Sequence, residues 1–190
     1  MKTSILVEIQ ETVAKYADIM SKVAGVNVEV VDENLFRVAG TGPFENHVNE
    51  DMSDEAYVYR HILETGRPQV IYHPGEAALC QNCPRKGKCG EEIEISMPIR
   101  LENRIIGIIG LVGSTPEQKQ MILNDERIYL ELIGQITDFI TSKAAEVLES
   151  QKREALMSAL ECTINRMEQG ILILGEKNMI TMQMPQQKSS

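Results

Sequence analysis

The segments Glu94-Ile95-Ser96-Met97-Pro98-Ile99 and Ile105-Ile106-Gly107-Ile108-Ile109-Gly110-Leu111-Val112 flank a turn at Glu102-Asn103, and together they predict a β-hairpin. The second segment, running on to Gly113-Ser114-Thr115, superficially resembles a phosphate loop. It has no lysine before the hydroxyl residue and lies along a strand, so it reads as a strand relieved by glycine where it borders a ligand cavity. Towards the N-terminus, residues 69–72 form a short β-prone stretch, and residues 73–91 a loop. Helix-start chemistry at residues 51–55 leads to the buried positions Val58, Ile62 and Leu63, and Gly66 and Pro68 close that helix. Strands over 26–30 and 35–39 are joined by Asp32-Glu33-Asn34, and Gly40-Thr41-Gly42-Pro43 punctuates the chain after them. Residues 4–23 carry apolar side chains at helical spacing, from Ile5 and Ile9 to Met20 and Val23, up to a stop at Gly25.

Beyond the hairpin, Pro116 and Asp125 precede a helix predicted from about 126 to 168, its apolar face running through Tyr129, Ile133, Ile136, Ile140 and Ala144 and resuming at Leu156 and Leu160. The polar run Glu149-Ser150-Gln151-Lys152-Arg153-Glu154 reads as an exposed helical connector between two packed units. Gly170-Ile171-Leu172-Ile173-Leu174 looks like the first strand of another domain, and only sixteen residues follow it. The chain is therefore expected to be a piece of a longer polypeptide or a truncated form of one. The expected fold class is α+β: an antiparallel sheet flanked by N- and C-terminal helices, followed by a long helix.

Composition narrows the function. The 190 residues carry 28 acidic against 19 basic side chains, a net charge of -9, and a nucleic-acid surface needs the opposite balance. No apolar run reaches the ~18 residues of a membrane span, and the charge-interrupted N-terminus does not read as a signal peptide. A cytoplasmic protein is expected.

Three of the four cysteines fall in Cys80-Gln81-Asn82-Cys83-Pro84-Arg85-Lys86-Gly87-Lys88-Cys89. The two-residue gap between Cys80 and Cys83 lets both sulfurs face one ion from a tight turn, and Pro84 and Gly87 favour a loop compact enough to return Cys89 to it. Arg85, Lys86 and Lys88 make the loop cationic, which favours thiolate. The expected centre is an iron–sulfur cluster, 4Fe–4S being one form, with zinc as the alternative. His73 is the nearest candidate for a fourth ligand; Glu91, Glu92, water, an effector or Cys162 could serve instead. Reversible thiol–disulfide chemistry and simple burial are the competing readings of the cluster. Cys162, on an apolar helix face, reads as a packing residue. No Ser/His/Asp arrangement and no distinctively paired carboxylates stand out, so a non-enzyme is expected. The predicted terminal helix, at ~1.5 Å per residue, is about 60 Å long and exceeds what one small domain covers. Parallel packing of two copies would bury the surplus stripe, so a homodimer through the terminal helices is expected.

Residues 1–145, with the cysteine loop at 73–91, resemble the GAF-type sensory domain at the N-terminus of sigma-54-dependent bacterial transcriptional regulators. The resemblance is carried by Val28-Glu29-Val30-Val31-Asp32, Arg37-Val38-Ala39-Gly40-Thr41-Gly42, the cysteine loop, Met97-Pro98-Ile99 and Ile106-Gly107-Ile108-Ile109-Gly110-Leu111. Residues 146–168 form the connector, and 169–190 look like the truncated start of a PAS domain, with Gly175 where an acidic residue often stands. Such regulators continue into an ATPase and a DNA-binding helix-turn-helix, so output domains are expected partners, while this segment makes no nucleic-acid contact of its own. The resemblance implies a sensory input module: a metal-loaded loop reports redox or oxygen state, and the long helix relays it. Alternatively, a small-molecule effector sits between the sheet and residues 37–46, touching Arg37, Gly40 and Thr41, under a zinc-held lid.

Overall fold

The computed structural model describes residues 4–165, 172–174 and 180–183. Helices α1 (Ile5–Glu8) and α2 (Gln10–Ala24) lead into β1 (Asn27–Asp32) and β2 (Arg37–Gly40), then a 3-10 turn over Gly42–His47. Helix α3 (Tyr57–Thr65), β3 (Gln69–Ile71), β4 (Ile93–Leu101) and β5 (Arg104–Gly113) follow, and α4 (Pro116–Asn124) and α5 (Glu126–Asn165) end the unit's elements. The five strands form one sheet in the order β2-β1-β5-β4-β3 with every pair antiparallel. That is the expected α+β class, with the β4–β5 hairpin at its centre.

Strand alternation sends successive β5 side chains to opposite faces. Gly107 and Gly113 abut Leu6 of α1 and Gln118 of α4 respectively, whereas Ile108 packs with Tyr59, Ile62 and Cys80, and Gly110 abuts Tyr59. One face of the sheet is thus covered by α1, α2, α4 and the first half of α5, the other by α3 and the cysteine loop. Leu6, Met20, Ile93, Ile95, Ile106, Ile109, Leu111, Ile122 and Ile133 are fully buried. An aliphatic core of this kind needs no tryptophan, and the chain has none.

Two elements differ from the sequence reading. The helix read over 4–23 is two helices, interrupted at Ile9, whose φ of -106° and ψ of 22° leave the α region. Helix α4 stands where Pro116 was read only as a lead-in. Its start is a cap: Thr115 accepts from the Gln118 N–H at 3.2 Å, Pro116 occupies the first turn, and the Gln118 side chain turns back to the Ser114 N–H at 2.8 Å. Gly25 and Gly66, both at φ +68°, end α2 and α3 in the left-handed conformation that favours glycine.

The chain divides into two compact units, residues 1–146 and 147–190. In the second, α5 runs on as an exposed helix through Glu149–Glu154, as the polar connector predicts, and Leu172–Leu174 pairs antiparallel with Ile180–Gln183. The rest of the PAS-like start, and the predicted helix beyond Asn165, lie outside the described residues. Among the described residues no helix is long and apolar enough to cross a membrane.

Candidate effector-binding site

The register aligns Glu29 of β1, Gly110 of β5 and Ser96 of β4 in one row across the sheet, on the face that carries α3 and the loop. Two residues from Ser96, and on the same face, is Glu94. These polar groups are almost wholly buried: Glu29 is 3% exposed, Arg37 3%, Glu94 6% and Ser96 0%. Polar side chains this deep need partners. Arg37 Nε donates to Glu29 Oε1, and the Tyr59 hydroxyl donates to Glu29 Oε2 at 2.8 Å. Arg37 Nη1 reaches the His47 carbonyl at 3.0 Å, and Nη2 lies 3.6 Å from Glu55 Oε1. The Ser96 hydroxyl donates to Glu94 Oε1. Gly110 makes room for this network, because a Cβ there would sit 2.5 Å from the Tyr59 hydroxyl. Gly110→Ala is expected to push Tyr59 away from Glu29 and to lower the melting temperature by ~5 °C, as read by calorimetry.

These groups wall a cavity of about 70 Å³ that opens to solvent at its mouth. That is below the roughly 300–1,000 Å³ usual for small-molecule sites, so an effector would have to lift the roof to enter fully. Its walls are β1, β2, β4 and α3; its roof is the loop, which contributes Pro74, Gly75, Cys80, Cys83, Arg85, Cys89 and Glu91. The roof is a chain of successive turns, with Cys80 N–H donating to Ala77 O at 2.9 Å, Cys83 N–H to Cys80 O at 3.1 Å and Lys86 N–H to Cys83 O at 3.0 Å. At φ +84° Gly75 lets the Cys89 side chain approach, a Cβ there being 3.1 Å from Cys89 Cβ. Arg85 reaches back to Glu55 at 2.8 Å and ties the roof to the rim.

No protein-family model matches the chain. Over 178 residues, 93% of its length, it is 33% identical to the "Putative uric acid sigma-54-dependent transcriptional regulator UacR" of Escherichia coli (strain K12), and it spans 30% of that relative's length. Among solved structures it superposes on the blue-light absorbing form of the PixJ GAF domain of Thermosynechococcus elongatus with a TM-score of 0.50 and 11% identity, covering 81% of this chain and 96% of that one. The chain has the GAF fold and is related in sequence to a sigma-54-dependent transcriptional regulator. The GAF fold does not by itself assign a chemistry. A type II free methionine-R-sulfoxide reductase of Thermoplasma acidophilum is similar too, at a TM-score of 0.51 and 14% identity over 74% of this chain and 96% of that one.

In this GAF domain Cys80, Cys83, Cys89 and Arg37 border one cavity. His73 does not line it: its Nδ1 is 3.3 Å from Lys119 Nζ. Gly40 and Thr41 are framework. A Cβ on Gly40 would collide with Phe44, and Thr41 Oγ1 accepts from the Val28 N–H at 2.8 Å at the sheet edge. Among the described residues no three His, Cys, Asp or Glu side chains are set to hold a metal ion. The thiolate expectation also changes. Burial pushes the Cys80 thiol up, and burial with the nearby Glu91 carboxylate pushes Cys89 up to about 11. Both thiols carry their protons at neutral pH and present a soft, uncharged roof.

The sequence reading missed Glu29, Tyr59 and Glu94, and named Glu91 only as an alternative metal ligand. A signal was there for two of them: Glu29 and Glu94 interrupt runs of aliphatic strand residues, where a carboxylate is costly unless it is partnered or used. Burial first and Glu91 second push the Glu94 carboxyl up to about 8, and burial with Glu29 pushes Glu91 up to about 7.

Proposed function

We propose that this domain is the effector-sensing input of a transcriptional regulator, and that the effector occupies the cavity beneath the cysteine loop. The supporting observation is the buried Glu29–Arg37–Tyr59 network facing Glu94–Ser96 across one cavity under the loop. Such a wall offers a guanidinium donor and carboxyl acceptors within a few ångströms of each other. It suits a flat nitrogen heterocycle that carries both oxo groups and ring N–H donors. The Escherichia coli relative is named for uric acid, a molecule of this chemistry, and we take the oxopurines as the effector class. The test is a titration of the 190-residue chain with urate, followed by calorimetry and thermal shift. Saturable binding with a raised melting temperature, lost in Arg37→Gln, is expected; no heat and no shift with urate or xanthine removes the reading.

The terminal helices supply the relay. Ile19 and Val23 of α2 and Ile128 and Phe139 of α5 are exposed, Tyr16 stacks on Phe139 with centroids 5.9 Å apart, and Leu156, Met157 and Leu160 are exposed further along α5. A second copy packed on these helices would bury this stripe and carry a change at the cavity to the output domains of the full-length regulator. Phe139→Glu is expected to convert dimer to monomer in light scattering, with the effector site intact.

A second reading rests on the three thiols that border the one cavity. In it Cys80, Cys83 and Cys89 hold zinc or an iron–sulfur cluster, which would supply a redox- or oxygen-sensitive group. Glu91, whose carboxylate accepts from the Cys89 thiol, is a candidate for the fourth position. Iron, sulfide and zinc analysis of anaerobically prepared protein separates the two readings. Stoichiometric metal, lost on replacing any one of the three cysteines, selects the second.

A further inference from the structure

The loop that roofs the cavity is fastened at both ends to the helices that leave the domain. At its start, His73 Nδ1 lies 3.3 Å from Nζ of Lys119 on α4. An ammonium can only donate, so Nδ1 is the acceptor. At its end, Glu92 Oε2 is 3.9 Å from the same Nζ, and the Glu92 N–H donates to Gly113 O at 2.8 Å. The Lys119 side chain is 19% exposed. One residue before His73, the Tyr72 hydroxyl donates at 3.1 Å to Oε2 of Glu126, the first residue of α5.

We propose that Lys119 is a positioning residue that holds both stems of the cysteine loop in register, and that Lys119 and the Tyr72–Glu126 pair together couple the loop over the cavity to the start of α5. The proposal deepens the effector reading by naming how occupancy reaches the outgoing helix. Closing the loop on an effector draws on Tyr72, His73 and Glu92, and all three are attached to α4 or α5. Coupling of this kind is reciprocal, so a change at the start of α5 must loosen the loop.

The three loop thiols report loop opening, and Cys162, exposed on α5, is an internal reference. The experiment is N-ethylmaleimide alkylation of the 190-residue chain, resolved by peptide mass, with each loop rate divided by that of Cys162. Lys119→Met is expected to raise the relative rates of Cys80, Cys83 and Cys89 by about fivefold, the size of one lost hydrogen bond or ion pair. Glu126→Gln and Tyr72→Phe should raise them ~3-fold, although neither residue touches the thiols. Lys119→Arg should stay within about twofold of the parent, because it keeps a cationic donor. A purely electrostatic effect has the opposite sign: losing a cation disfavours thiolate and slows alkylation. Unchanged or slower loop rates in Lys119→Met and Tyr72→Phe overturn the proposal, as do faster rates that merely follow a fall in melting temperature. Urate added to the parent tests the effector reading separately. Faster loop rates in the variants without urate protection of the parent would leave the coupling standing and remove the oxopurine.

Discussion

Replacing Arg37 with methionine is expected to cost the domain about 3–5 kcal/mol, the penalty for leaving a buried charge without its partner. Glu29 and Arg37 are each 4% exposed at the side chain, and the Glu29 carboxylate accepts from Arg37 and from Tyr59. Burial already raises the Glu29 carboxyl, and the guanidinium is the main influence that lowers it. Without Arg37 the carboxylate must either stay charged in an apolar wall or take up a proton, and both cost stability. Arg37 also holds the 3-10 turn through His47 O and lies over the Phe44 ring at 5.8 Å. Methionine fills the volume and replaces none of this. A domain with ~5–15 kcal/mol of stability would lose at least about a fifth of it, a fall of roughly 10 °C in melting temperature by calorimetry. Glu29→Gln in the same chain should recover a good part of the loss, because the amide oxygen still accepts from Tyr59 and no charge remains to be buried. A double variant as unstable as the sum of the two single ones would show that the pair is not coupled.

The β4–β5 hairpin and the strands around Val28 and Val38 were legible because their periodicity is strong and their turns carry Asp, Asn or Gly. Helix α4 was not, for its apolar pattern is weak: only Ile122 is buried, while Met121 and Leu123 are exposed. The sign of its presence was the cap, Thr115-Pro116-Glu117-Gln118, an S/T-x-x-E/Q pattern. At the site, Cys80, Cys83 and Cys89 all border one cavity, yet spacing could not tell that burial, with Glu91 beside Cys89, raises two of the thiols. Nor could it show that His73 turns to Lys119. The carboxyl wall depends on register, because Glu29 and Ser96 meet only where both flank Gly110, and register is a property of the folded sheet.

Glu94 shows what that register does to pH dependence. Its carboxyl is buried, pressed by Glu91, and titrates at about 8, against the ordinary 4.5. Between those two values the folded domain holds a proton that the unfolded chain has released. A carboxyl raised in this way contributes stability that is fully present below the unfolded value and is lost as the pH climbs through the folded one. The domain should therefore be most stable near pH 5 and weaken steadily towards pH 9, the reverse of an acid-labile protein whose carboxylates are salt-bridged. Glu94→Gln is the matching variant: an uncharged near-isostere whose oxygen can still accept from the Ser96 hydroxyl. It should leave stability at pH 5 almost unchanged and exceed the parent at pH 9 by ~2–5 kcal/mol, the value of a proton no longer surrendered. Chemical denaturation of both proteins across that range reads the difference directly. Parallel curves would mean that Glu94 titrates normally and faces more water than its 6% exposure allows. A decline confined to about pH 5–7, in parent and variant alike, would transfer the effect to Glu91. The protonated form also bears on recognition, since at neutral pH a carboxylic acid at Glu94 can donate to an oxo group as well as accept from a ring N–H.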